Sequence, residues 1–343
     1  MAREPRILFC EQDYSLARIG SRISGGLSRG AMLRQVRGQL VNGFLTLRKA
    51  HKSRLTSSMM VINIELTNHC NHRCKFCSTG LNTNIREKGK MDFETFKLIA
   101  QQISPGTTVV IAGFGEPFLN TELELFLEYA HTFGLTSNLQ LLSNFGAISE
   151  KRIRRLLDYP FKRLVVSLDS MSRETFIEYR GCDDFDNVLN NITILSDEMK
   201  KRKTITQEIM IQMVVTKKNI HEKELFIDYA KRMNFIPRLK QLNTHNSFAG
   251  QLEINEFEVP ELSRYSDLSY SRTCMWAWGG MMVFWNGDVT ICCQDAQGIE
   301  VHGNIRNDSI VNLLNKSTLR CDFRQKYFND PGQIEICRRC DVA

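Results

Sequence analysis

The sequence contains no run of about 18 apolar residues, the length a membrane-crossing helix needs. Its first residues also lack the apolar core and cleavage site of a secretory signal. Both absences lead to the expectation of a cytoplasmic protein. No low-complexity tract and no internal repeat beyond the alternation described below are present. Acidic residues are scarce at one end only. Residues 1–60 hold three, Glu4, Glu11 and Asp13, against eleven Lys or Arg, whereas the remaining residues hold 35 acidic and 34 basic. The net charge of +7 therefore belongs to an N-terminal extension. What is present in quantity is core: 343 residues, 42% apolar, suffice for one large domain and a smaller one.

Cysteine is abundant. Disulfides are rare in the cytosol, so eleven cysteines point to metal binding or thiol chemistry. Seven of them fall into two groups, Cys70/Cys74/Cys77 and Cys274/Cys292/Cys337/Cys340. Cys10 and Cys182 read as small buried apolar residues.

Between residues 28 and 49, Met32, Val36, Leu40, Phe44 and Leu47 recur at helical spacing among arginines. The pattern predicts a basic amphipathic helix, packed on the main domain or directed to an acidic partner or an anionic membrane surface. From Val61 onwards, β-rich runs at 61–66, 109–112, 139–142, 164–168, 209–215 and 238–242 alternate with helical patterns. The helices are expected at 93–103, 122–133, 150–157, 187–200 and 222–233. Six β-α units with nearly continuous apolar strands predict an α/β fold with a parallel sheet curled into part of a barrel. Ligands of such sheets sit at the carboxyl ends of the strands. Beyond Pro260 the pattern changes. Runs at 281–285 and 289–292 flank Asn286-Gly287 and predict a hairpin with a type I′ turn, followed by a short helix at 309–314.

Cys70, Cys74 and Cys77 place three thiols on the loop after the first strand. Thiolates select iron-sulfur clusters, zinc or Cu(I), and a zinc site here would have to borrow His69 or His72. The CxxxCxxC spacing resembles the radical S-adenosylmethionine family. In that family the triplet ligates three irons of a 4Fe-4S cluster, the open iron chelates S-adenosylmethionine, and reductive cleavage yields a 5′-deoxyadenosyl radical. Phe76, before the third cysteine, matches the family's aromatic position near the adenine. Gly113-Phe-Gly115-Glu116-Pro117 resembles the GGEP segment that receives the methionine ammonium, with Phe114 in place of a glycine. Ser143-Asn144-Phe-Gly146 resembles the TNG segment. Ser167, Asp169 and Arg180 match the SxD and RG segments, which implies Ser167 near the ribose or carboxylate and Arg180 as a carboxylate partner. The match covers residues 61–245.

The second group, one cysteine before the hairpin, one after it and a distal CxxC, fits zinc or a cluster by spacing alone. It resembles the twitch form of the SPASM extension, which binds an auxiliary 4Fe-4S cluster through Cys274, Cys292, Cys337 and Cys340, with Cys293 open as the alternative to Cys292. The resemblance divides the chain into an extension (1–60), a radical (β/α)6 TIM-like partial barrel (61–250) and a small twitch domain of hairpin plus helix (251–343). It implies two 4Fe-4S clusters, S-adenosylmethionine, and a flavodoxin- or ferredoxin-type electron donor. Dehydrogenation or epimerisation of a small polar substrate such as a sugar, aminocyclitol or nucleotide is the expected reaction, with Cys321 or Cys293 as candidate hydrogen donors. Residues 1–60 are too short for the peptide-recognition domain of many peptide-modifying members, which leaves peptide modification as the alternative. A zinc-stabilised nucleic-acid-binding protein is not expected, because six β-α units and ordered cofactor motifs oppose it.

Overall fold

Residues 61–64, Val-Ile-Asn-Ile, form strand β1 (Val61–Ile64), which is buried along its whole length. Complete burial is the mark of a strand covered on both faces, as in parallel sheets. The computed structural model describes residues 59–82, 85–104, 106–202, 207–242, 257, 259, 274–338 and 340; the basic stretch 28–49 lies outside them. Five further strands follow: β2 (Thr108–Ile111), β3 (Leu139–Ser143), β4 (Arg163–Ser167), β5 (Glu208–Val215) and β6 (Ile236–Gln241). Each pairs in parallel with the next. The helices between them are α1 (Phe93–Ala100), α2 (Leu123–Thr132), α3 (Glu150–Leu156), α4 (Arg173–Arg180), α5 (Phe185–Lys201) and α6 (Lys223–Arg232).

Side chains alternate across a strand, and here the alternation separates two environments. Ile62, Ile64, Val109, Ile111, Leu139, Leu141, Leu164, Val166, Ile211 and Met213 join the helices in one apolar core. The positions between them include Asn63, Gln140, Arg163, Gln212 and Arg238, which are buried yet polar. The polar face of the sheet is thus set apart from the packing face by period alone.

The hairpin of the C-terminal region does not stand apart from this sheet. Strand β7 (Gly280–Val283) pairs in parallel with β1, from Val61↔Gly280 to Ile64↔Val283. Strands β8 (Asp288–Thr290) and β9 (Val301–Asn304) then add antiparallel. One open sheet of nine strands results, in the order β6-β5-β4-β3-β2-β1-β7-β8-β9. Three helices complete the region: α7 (Met275–Gly279), α8 (Ile310–Asn315) and α9 (Thr318–Asn329). Asn286-Gly287 does not form the expected type I′ turn. Only Gly287 has positive φ, at 87°, and its N–H donates to the Phe284 carbonyl at 2.9 Å, so four residues link the strands. A turn closed by one left-handed glycine is the longer hairpin form.

Helix α4 was hidden in the sequence by its polarity but is well delimited. Ser172 caps its N-terminus by accepting from Thr175 N, and Gly181 ends it in the left-handed region at φ 63°.

Candidate functional site

The three-thiol loop leaves β1 and is pinned to the end of α4. Arg73 N donates to Arg180 O at 2.8 Å and Lys75 N to Tyr179 O at 3.1 Å. A side chain at Gly181 would bring its Cβ to 2.5 Å from Arg73 O, so the loop can close on α4 only at a glycine. Cys70, Cys74 and Cys77 are partly exposed and lie within electrostatic reach of one another. Nitrogen donors face their sulfurs: Asn144 Nδ2 is 3.6 Å from Cys70 Sγ, and Arg180 Nη1 is 3.6 Å from Cys74 Sγ. Burial, followed by Glu116 and the other two cysteines, pushes the Cys70 thiol up to about 12. Binding a metal therefore has to displace the proton of the Cys70 thiol.

The other predicted residues gather around this loop. Glu116 is 2% exposed, and its carboxylate accepts from Phe118 N, Ser143 Oγ and Asn144 N at 3.2, 2.7 and 2.7 Å. Burial pushes its carboxyl up, and these donors oppose the rise. It ties the end of β2 to the end of β3. Gly113 is exposed beside it, and Gly115 packs against the backbone of Thr67 and His69 where no Cβ would fit. Ser167 is half-buried at the end of β4. Asp169 sits in the left-handed region at φ 64° and accepts from Val214 N at 2.7 Å. Its Oδ2 lies 2.7 Å from Arg180 Nη2, an ion pair whose angles fall outside hydrogen-bond alignment. Burial works against the Arg180 charge, but Asp169 and the Cys74 sulfur more than restore it. Phe76 stands edge-on to Tyr179 at 5.3 Å and to Phe257 at 4.8 Å.

Two pairs went unnoticed in the sequence. His72 is buried with Nε2 2.8 Å from Asp184 Oδ2. Glu65 holds Arg86 through two bonds of 2.8 Å and accepts from Phe114 N at 3.0 Å, while the Arg86 guanidinium stacks 3.7 Å from the Phe284 ring. Arg86 Nε also donates to Ala296 O at 2.9 Å, so this pair fastens the first loop to the C-terminal region. A charged residue directly after an apolar strand was the only available signal for Glu65.

The second thiol group converges on a cleft lined by Cys274, Cys292, Cys293, Cys337 and Cys340, with Trp276, Ile291, Phe323 and Ile336 as apolar walls. Burial and then Cys292 push Cys274 up to about 12. Burial and then Cys274, Cys292 and Cys340 push Cys337 well up. Four thiols this close cannot ionise together without a multivalent cation, so the donor set fits an iron-sulfur cluster. Cys293 is hydrogen-bonded to Cys292, which raises the latter strongly. Cys321 lies on α9 and is not part of the cleft lining.

Behind the cleft wall are two further buried residues, Arg320 and Arg324, that no sequence pattern singled out. Arg320 and Arg324 are both 0% exposed. Arg320 Nη2 donates to the carbonyls of Trp276, Ala277 and Gly280 at 2.9, 3.3 and 2.6 Å. Arg324 Nε donates to Ala277 O at 2.9 Å, and its Nη2 to Trp278 O and Leu314 O at 3.0 and 2.7 Å. Hydrogen bonds from a charged donor contribute about 1.5–3 kcal/mol each, against a desolvation cost of several kcal/mol per buried ion. The carbonyls roughly offset burial of the guanidiniums without neutralising them.

Comparison with known proteins agrees with this geometry. The Radical SAM superfamily model matches residues 64–227 and the model for an iron-sulfur cluster-binding domain matches residues 274–341. An uncharacterised protein of Methanocaldococcus jannaschii is 34% identical over 150 residues, 43% of this chain and 47% of that protein. The GTP 3',8-cyclase of Aliarcobacter butzleri is 26% identical over 203 residues, 58% of this chain and 60% of the enzyme. The chain thus spans about half of the curated relatives it matches. Among solved structures, BtrN in complex with AdoMet and 2-DOIA superposes with a TM-score of 0.54 at 16% identity, covering 83% of this chain and 94% of BtrN. Streptococcus suis SuiB bound to its precursor peptide SuiA gives 0.64 at 14% identity, covering 95% and 80%. The chain carries a Radical SAM superfamily domain over residues 64–227 and a C-terminal iron-sulfur cluster-binding domain over residues 274–341, which imply 4Fe-4S clusters and S-adenosylmethionine as cofactors.

Proposed function

We propose that this enzyme dehydrogenates a small polar substrate, with Cys70, Cys74 and Cys77 holding the initiating cluster and Cys274, Cys292, Cys337 and Cys340 holding an auxiliary one. The observation that carries the reading is the closure of the second cleft by four thiols, with a fifth in Cys293. A full ligand set favours electron uptake over substrate coordination. When bound, S-adenosylmethionine and the first cluster supply a 5′-deoxyadenosyl radical that takes a hydrogen atom from substrate. The chain's own residues do the positioning. Phe76 would offer an aromatic edge to the adenine, the backbone of Gly113–Gly115 would receive the ammonium group, and Glu116 fixes the loops that carry Ser143 and Asn144. Arg180 and Ser167 would hold the cofactor's carboxylate and ribose. A flavodoxin- or ferredoxin-type protein supplies the first electron. No helix among the described residues is long and apolar enough to cross a membrane.

The relatives named GTP 3',8-cyclase favour a second reading, ring closure on a nucleotide. A single experiment separates the outcomes. Anaerobically reconstituted protein is given S-adenosylmethionine, dithionite and a panel of aminocyclitols, sugars, GTP and peptides in deuterated buffer, and products are weighed. A product lighter by two hydrogens supports dehydrogenation. Unchanged mass without deuterium indicates ring closure, and unchanged mass plus one deuterium indicates epimerisation with a thiol donor, for which Cys293→Ala and Cys321→Ala identify the donor. Modification of peptides alone would overturn the small-molecule reading.

A further inference from the structure

Arg320 and Arg324 lie one turn apart on α9, without exposed surface, against the wall that Trp276 and Ala277 contribute to the second cleft. Among the described residues, the partners of Arg320 are three carbonyl oxygens and His302 Nε2 at 3.5 Å, and none is a carboxylate. Uncompensated buried charge is costly, and structures that retain it place an opposite charge nearby. The neighbours of suitable sign are the sulfurs: burial and Arg324 weaken the hold of Arg320 on its proton, whereas Cys274 and Cys292 strengthen it. A cubane cluster held by four thiolates is a net anion and becomes more negative on reduction, and net charge is one of the levers on its potential.

We propose that Arg320 is the charge-compensating residue of the auxiliary cluster, stabilising its reduced state so that it accepts an electron from the substrate radical. The inference rests on the reading of the four thiols as ligands of one cluster. In the step it serves, a carbon radical next to oxygen or nitrogen loses one electron to the cluster and one proton to solvent. A carbon–oxygen or carbon–nitrogen double bond forms, and the cluster is reduced by one electron. Arg320 acts through the cluster and touches no substrate.

The test is a redox titration of the fully loaded protein followed by electron paramagnetic resonance, which reads the two clusters separately. Arg320→Met is expected to lower the auxiliary midpoint so that, at the wild-type midpoint, the reduced-to-oxidised ratio falls about tenfold, or roughly 59 mV for a one-electron couple. Arg320→Lys keeps the charge and is expected to stay within about threefold of wild type, and the first cluster's midpoint is expected to be unchanged in both. The sign separates charge from packing. If Arg320 only supports the wall, its loss admits water, which favours the more charged reduced state and moves the midpoint up. Should Arg320→Met fail to hold the cluster, Arg320→Gln carries the same expectation. An unmoved or raised midpoint in a loaded variant overturns the inference alone. A wild-type chain with no iron at the second site overturns the ligand reading beneath it.

Discussion

The two thiol sites of this molecule treat arginine in opposite ways. Beside the first, Arg180 approaches Cys74 Sγ at 3.6 Å, but Asp169 lies 2.7 Å from its other amino group and cancels its charge. Beside the second, Arg320 is held through Nη2 by peptide carbonyls, which leave its charge in place. A cluster that must give up an electron at low potential is poorly served by an uncompensated cation, and one that must receive an electron is well served by it. The same side chain thus has opposite redox effects, depending on whether its partner is a carboxylate or a carbonyl.

The strongest way to break this comparison is to empty one site at a time. Cys74→Ala is expected to abolish 5′-deoxyadenosine formation, a loss of at least about a thousandfold, while the second cluster remains visible by resonance spectroscopy. Cys337→Ala is expected to do the reverse, retaining cleavage of S-adenosylmethionine but forming no dehydrogenated product. If both variants lost cleavage equally, the sites would not be separate in function.

A smaller effect is expected from making the first site resemble the second. Asp169→Asn removes the carboxylate charge, and asparagine tolerates the left-handed backbone at this position. The exposed charge of Arg180 should raise the first cluster's midpoint and slow 5′-deoxyadenosine formation by about tenfold. An unchanged midpoint with a folded protein would show that Asp169 does not set the charge there.

The smallest effect is on acid stability, and it distinguishes the regions by their histidines. Burial, then Arg320, holds His302 down to about 3, so it stays neutral in the fold. An unfolded chain protonates it near about 6.5. Between those values the unfolded state binds the extra proton, so stability should fall as pH falls, by up to ~1.4 kcal/mol per pH unit. His302→Gln should flatten that part of the denaturation profile. His72 is shifted upward instead: burial opposes protonation, and the bond to Asp184 overcomes it. It therefore contributes no such loss in acid.

Much of this was legible in the sequence. The six β-α units, the Cys70 triplet and the convergence of Glu116, Ser143 and Asp169 on one mouth follow from local periodicity and from the rule that ligands meet strand carboxyl ends. The pairing of β7 with β1 was not legible, because it joins residues more than 200 positions apart and leaves no local pattern. Arg320 and Arg324 were missed for a different reason. A helix reading Thr-Leu-Arg-Cys-Asp-Phe-Arg-Gln looks like a solvated surface, and only the carbonyls of α7 reveal that its basic face is the buried one. Asn286-Gly287 misled about its turn because glycine at one position is enough for the longer link.

The parallel pairing of β7 with β1 also sets a distance. Cys70 follows the carboxyl end of β1, whereas Cys274 precedes the amino end of β7 and Cys292 follows β8, which runs back to that same end. The two thiol sites therefore occupy opposite ends of one strand pair, four residues long in each strand. At roughly 3.3 Å per residue the ladder alone separates them by about 10 Å. The strand pair is a fixed spacer between the two sites, and its length cannot drift without breaking the backbone ladder between the two regions.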